Sequence, residues 1–333
     1  MLRVAVLDDY ADLARSSAEW GRIASIAEVE FFTEPIPLAE APDRLARFDV
    51  LCTTRERMPF DDGLLAALPR LRMMTIIGMS LDNLDLEAAT EQGVLVVHPD
   101  FERPRPRGGD PAAELAWALV LAAARGVGPA HAGILAGRWA APAGILLEGR
   151  CLGVLGLGRL GRRVACYGQA FGMEVIAWSE NLTPEAAAAE GVERVSREEL
   201  FARADVLSVH LQLSDRTRGL VGTADFERMR PGSLFVNTSR SAIVDTDALV
   251  AAVRSGRLGG AGLDVFDEEP LPAGHPLREL PTVTLTPHLG YNVPEVLAGF
   301  YADLPEAIEA FAGGTPVRVV NPAALDHRRH PVS

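Results

Sequence analysis

The chain has 333 residues and no lysine, so all 32 of its basic residues are arginine. That absence excludes a lysine Schiff base to a carbonyl substrate or to pyridoxal phosphate. It also excludes the phosphate-binding lysine of a Walker A loop and any lysine general base. Cysteine is scarce. Cys52, Cys151 and Cys166 are odd in number and show no C-x-x-C spacing, which points to buried thiols in a reducing compartment. Positive charge is in deficit: a net charge of −13 sets the surface against a phosphate backbone and argues against a nucleic-acid partner. No apolar run approaches the ~20 residues of a membrane span, and the longest, residues 115–124, reads as a buried helix. Residues 1–9 read as a strand followed by turn residues, not as a secretory leader. A cytoplasmic protein with no membrane partner is expected.

Hydrophobic residues make up 48% of the chain, enough for buried cores, and at ~150 residues per domain the length suits about two domains. Residues 4–7, 50–52, 73–77 and 94–97 are short apolar runs with amphipathic stretches between them, such as 42–47 and 63–68. That rhythm predicts βαβ units and a parallel sheet. Residues 100–111 interrupt it with three prolines and two glycines, which predicts a loop or hinge. After a helix at 112–124, a second rhythm follows. It has strands at 151–155, 174–178, 206–210, 234–237, 262–265 and 282–285, with a helix around 197–203. Residues 294–311 read as helical, and 326–333 as a flexible tail. The expected fold class is α/β, with two Rossmann-like doubly wound parallel-sheet domains.

The sharpest local signal is Gly153-Val154-Leu155-Gly156-Leu157-Gly158-Arg159-Leu160-Gly161. It follows a strand and opens a helix, as a dinucleotide site requires. Such glycines make the turn, admit the pyrophosphate to the backbone and let helix and strand pack closely. The helix N-terminus offers unpaired N–H groups and partial positive charge to the phosphates. An NAD site usually has an acid at the end of the next strand. Here Ser179 takes that place, followed by Glu180. Serine tolerates the 2′-phosphate of NADP and Glu180 repels it, while no arginine adjoins it in sequence. NAD is the expected cofactor, and NADP stays open.

Three further motifs follow in order: Phe235-Val236-Asn237-Thr238-Ser239-Arg240, Gly262-Leu263-Asp264-Val265-Phe266-Asp267-Glu268-Glu269-Pro270 and Leu285-Thr286-Pro287-His288-Leu289-Gly290. With the glycine loop, they make the chain resemble the D-isomer-specific 2-hydroxyacid dehydrogenase family, which includes phosphoglycerate dehydrogenases and glyoxylate/hydroxypyruvate reductases. The resemblance runs from the first strand to Val320-Asn321-Pro322. It implies hydride transfer between NAD(P)H and a 2-keto acid or D-2-hydroxy acid. His288 would be the acid/base, Glu269 its carboxylate partner and Arg240 the substrate-binding cation. A guanidinium fork matches a carboxylate, and a carboxylate beside imidazole favours its protonated form. Asp264 would meet the nicotinamide carboxamide. Gly156, Gly158, Arg159, Leu160, Gly161, Ser179, His210, Leu211, Gln212, Thr217, Asn237, Thr238, Ser239 and Gly290 complete the expected cofactor set. Residues 103–290 would form the cofactor domain, and 1–102 with 291–325 a discontinuous substrate domain, with the active site in the cleft between the two.

The first half departs from the family pattern. Gly78-Met79-Ser80 stands where the family has a Gly-x-Gly turn whose N–H groups meet the substrate carboxylate, so Met79 and Ser80 are candidate substrate contacts. Arg55 stands near where phosphoglycerate dehydrogenases have an arginine for the substrate phosphate, which suggests a second anionic group on the substrate. An exposed ion pair explains Arg55 as well. Arg103, Arg105 and Arg107 reach the site or decorate a hinge. Residues 136–139 fall in the segment that dimerises in this family, and Trp139 packs against a partner subunit or within its own chain. A homodimer is expected. His98, His131, His275, His327 and His330 are scattered and receive no metal or catalytic role. Phosphite or formate dehydrogenase on the same fold, and a catalytically silent dinucleotide sensor, are the alternatives. Formate dehydrogenases of this type pair the histidine with glutamine, which Glu269 argues against.

Overall fold

The computed structural model describes residues 1–54, 57–77, 81, 83–99, 110–139 and 143–327. The chain divides into two compact units, Met1–Gly108 with Val293–Ser333, and Gly109–Asn292. Each carries a parallel sheet.

The first unit has β1 (Leu2–Val6), β2 (Ala27–Phe31), β3 (Val50–Thr54), β4 (Met73–Ile77) and β5 (Leu95–Val97), in the order β2-β1-β3-β4-β5. β3 and β4 are buried along their whole length. Unbroken runs such as Val-Leu-Cys suit strands covered on both faces. β2, which the apolar-run reading misses, is an edge strand whose Ala-Glu-Val-Glu-Phe alternates buried and wet residues. The 294–311 segment is two helices, Pro294–Ala302 and Leu304–Ala312. They break because Pro305 has no N–H for the Tyr301 carbonyl. Tyr301 is buried here, and its hydroxyl donates to Asp9 Oδ1 at 3.3 Å.

The second unit has β6 (Cys151–Leu155), β7 (Glu174–Trp178), β8 (Glu193–Arg194), β9 (Val206–Val209), β10 (Ser233–Asn237), β11 (Leu258–Leu263) and β12 (Val283–Leu285). Their order is β12-β11-β10-β9-β6-β7-β8. The sheet grows from β6 towards β7 on one side and towards β9 on the other. β6 is therefore the switch point, where open α/β sheets bind ligands beyond the strand C-termini. β11 starts earlier and ends sooner than its apolar pattern predicts, because glycines form its first half. A Cβ on Gly259 would lie 2.6 Å from the Gly232 carbonyl oxygen, and one on Gly260 the same distance from that of Thr282. Helix Pro111–Arg125 buries Ala113, Ala116, Leu119 and Val120 against this sheet and ends at left-handed Gly126, φ 59°. Cys52 and Cys151 are buried thiols, but Cys166 is exposed, contrary to expectation. Among the described residues, no single helix is long and apolar enough to cross a membrane.

Candidate active site

β6 ends at Leu155, and Gly156 turns the chain at φ +104°, a conformation that favours glycine. Its N–H donates to the Trp178 carbonyl at 2.9 Å. A Cβ on Gly156 would lie 2.9 Å from the His210 carbonyl carbon, and one on Gly161 would lie 2.0 Å from the Gly156 oxygen. The chain itself requires those two glycines. A Cβ on Gly158 would meet nothing within 4 Å. Gly158 caps helix Arg159–Ala170 with no side-chain acceptor, so its open side leaves the first helical N–H groups accessible to an anion. These residues fit a dinucleotide pyrophosphate. Leu160 is half-buried and packs into the core below. Arg159 instead reaches Asp110, its Nη1 hydrogen-bonded to both carboxylate oxygens.

The neighbouring strand ends line the same edge. Ser179 is half-buried just past β7, and Glu180 is exposed. β8 sets Arg194 beside Ala177, and its Nε donates to the Leu182 carbonyl at 2.7 Å, in the loop after Ser179. An arginine does therefore adjoin this loop, delivered by strand pairing and absent from the local sequence. His210 follows β9, with Ser208 Oγ 2.8 Å from its Nε2. Burial pushes its pKa down to about 4. The Leu211 carbonyl accepts from Ser239 Oγ. Thr217 Oγ1 donates to the Gln212 carbonyl at 2.7 Å and accepts the Ser214 N–H at 2.8 Å. Thr217 thus shapes its own loop.

Asn237 is buried at the end of β10. Its Nδ2 donates to the Arg240 carbonyl at 3.0 Å and its Oδ1 accepts the Ser239 N–H at 2.9 Å. Those two bonds fold residues 237–240 into a tight turn through half-buried Thr238. Arg240, also half-buried, donates from Nη1 to the Ser239 carbonyl at 2.8 Å.

Asp264 follows β11 and is 1% exposed. Its Oδ1 accepts Thr286 Oγ1 at 2.6 Å and the Leu289 N–H at 2.7 Å, and its Oδ2 accepts the Gly290 N–H at 3.0 Å. Desolvation raises its pKa above the ordinary carboxylate value, against these hydrogen bonds and the nearby His288. The sequence reading misses this clamp on the 286–290 loop. That loop holds His288 at φ +56°, in the left-handed region. His288 Nδ1 lies 2.7 Å from Glu269 Oε2. Glu269 Oε1 accepts the Phe266 N–H at 2.9 Å, and both side chains are largely buried. The Tyr291 ring meets the imidazole edge-on with centroids 6.1 Å apart, a contact no motif announces. No group of three potential metal ligands occurs among the described residues. Arg55, Met79, Ser80, Arg103, Arg105 and Arg107 lie outside the described residues.

Residues 117–290 match the D-isomer specific 2-hydroxyacid dehydrogenase, NAD binding domain. The chain belongs to this family. Among 2-hydroxyacid dehydrogenases it is 40% identical over 271 residues to the glyoxylate reductase of Aeropyrum pernix, covering 78% of this chain and 79% of that one. It is 40% identical over 262 residues to the D-3-phosphoglycerate dehydrogenase of Mycobacterium leprae, covering 78% of this chain and 48% of that one. The chain thus spans about half the length of that dehydrogenase. The solved structure of a phosphoglycerate oxidoreductase from Vibrio cholerae superposes with a TM-score of 0.82 at 34% identity, covering 94% of this chain and all of that one.

Proposed function

We propose that the protein interconverts a small 2-keto acid and its D-2-hydroxy acid, with His288 moving the proton, Glu269 supporting it and Arg240 binding the substrate carboxylate. The observation that carries this reading is the 2.7 Å contact between His288 Nδ1 and Glu269 Oε2. With Nδ1–H donating to the carboxylate, proton exchange with the substrate oxygen falls to Nε2. In reduction the imidazolium gives that proton to the keto oxygen, and in oxidation the neutral ring takes it from the hydroxyl. The Glu269 carboxylate stabilises the charged ring, and its own second oxygen is fixed by the Phe266 N–H. Arg240 offers a planar fork to a planar carboxylate. A bound nicotinamide cofactor supplies or accepts the hydride. Gly156, Gly158 and Gly161 would hold its pyrophosphate, with Ser179 at the ribose. Glu269 also weighs against formate as substrate, because formate loses only a hydride and needs no proton exchange.

The test is NADH oxidation with glyoxylate, hydroxypyruvate, phosphonopyruvate and 2-oxoglutarate, repeated with NADPH. Turnover of one ketoacid, abolished by Arg240→Ala and His288→Ala, is the expected result. Tight NADH binding without turnover of any ketoacid overturns it in favour of a dinucleotide sensor. Arg55→Ala reads the second-anion expectation: a raised KM for phosphonopyruvate and not for glyoxylate supports it, and an unchanged KM ends it.

A homodimer is part of the same reading. Leu135, Trp139 and Leu146 are 75%, 92% and 71% exposed, an amount of wet apolar surface that calls for a partner. Trp139 is therefore not buried within its own chain. Light scattering after size exclusion should give twice the chain mass, and Leu135→Asp should halve it. A monomeric wild-type protein removes the dimer from the reading. Cysteines without disulfides support a reducing, cytoplasmic setting.

A further inference from the structure

We propose that Asp110 is an internal competitor for the cofactor pyrophosphate, holding Arg159 until the phosphates displace it. This inference rests on the cofactor reading above.

Asp110 is the N-cap residue of helix Pro111–Arg125. An aspartate there ordinarily accepts an N–H from its own first turn. This one makes no such cap bond. Both of its oxygens accept from Arg159 Nη1 instead, and its side chain is 12% exposed against 65% for Arg159. The carboxylate has thus given up its local role for a residue on another helix.

Arg159 explains why. It is the first residue of helix Arg159–Ala170, where the helix dipole is positive and a cation is disfavoured. Its Gly158 cap has no side chain to contribute an anion or an acceptor. Arg162 is engaged elsewhere, with Glu190 at 3.3 Å and the Leu157 carbonyl at 3.3 Å. Asp110 is the anion that offsets the charge of Arg159. A pyrophosphate seated over Gly158 would meet the same guanidinium with more negative charge than one carboxylate carries. Cofactor binding then becomes an exchange of anions on Arg159. The Asp110 pair lowers affinity and favours release of the dinucleotide.

The experiment is calorimetric titration of wild type, Asp110→Asn, Asp110→Ser, Arg159→Ala and Arg159→Ala/Asp110→Asn with NADH, ADP and adenosine. Asp110→Asn and Asp110→Ser should tighten NADH and ADP by about fivefold and leave adenosine, which has no phosphate, unchanged. Arg159→Ala should weaken NADH, and adding Asp110→Asn to it should restore little. Unchanged or weaker NADH binding in both Asp110 variants overturns the proposal. So does an equal gain in the Arg159→Ala background, which would mean simple repulsion between Asp110 and the ligand. A wild-type protein that binds no NADH overturns the cofactor reading itself, and this inference with it.

Discussion

Glu269 divides its two oxygens between His288 Nδ1, at 2.7 Å, and the Phe266 N–H, at 2.9 Å. The carboxylate is therefore fixed in rotation, and the imidazole is fixed through it. Glu269→Gln keeps a hydrogen-bonding group and removes the charge. Without that negative charge beside the ring, kcat for reduction should fall by about one to two orders of magnitude. NADH affinity should not change. An unchanged kcat would remove Glu269 from the proton step.

Asp264 clamps the loop that carries His288, and charge-assisted hydrogen bonds of this kind contribute about 1.5–3 kcal/mol each. Asp264→Asn turns an amide N–H towards a backbone N–H. Its kcat should fall by about one to two orders of magnitude, with a lower Tm. Thr286→Val removes only one of the bonds, the Oγ1 contact at 2.6 Å, and should cost about 1 kcal/mol. Equal losses in the two variants would show that the clamp is not the cause.

Two glycines of the β6 turn should separate folding from binding. Gly161→Ala places a Cβ 2.0 Å from the Gly156 oxygen, whereas Gly158→Ala meets nothing within 4 Å. Gly161→Ala should lower the Tm. Gly158→Ala should melt like wild type and bind NADH about tenfold more weakly, by crowding the phosphate. Thermal melts and NADH titration read both, and wild-type affinity in Gly158→Ala would place the pyrophosphate elsewhere.

Desolvation of half-buried His210 makes stability depend on pH. Its folded pKa of about 4 lies below the ordinary value of 6.5. Between those values the unfolded chain binds a proton that the folded chain refuses, so stability falls as pH falls from about 6.5 towards about 4. The loss approaches about 3 kcal/mol at the acid end. Urea melts at neutral and mildly acidic pH should show the decline, and His210→Asn should flatten it. An equally steep decline in His210→Asn would assign the effect to other groups.

The parallel α/β class, most of the central strands and the glycine turn were legible in the chain. Buried central strands are unbroken apolar runs, and a dinucleotide turn needs glycine at particular spacings. Those are local constraints that composition must obey. Edge strands β2 and β8 escaped because water on one side relaxes that constraint. Arg194 beside the Ser179 loop, the Asp264 clamp and the Asp110–Arg159 pair escaped for another reason. Each depends on which strand or helix lies next to which, and a charged side chain looks the same in sequence whether it faces water or a partner from a distant segment. Residue types determined what chemistry this protein can hold. Tertiary packing decided which of its arginines and carboxylates meet, because only the folded sheet brings their ends together.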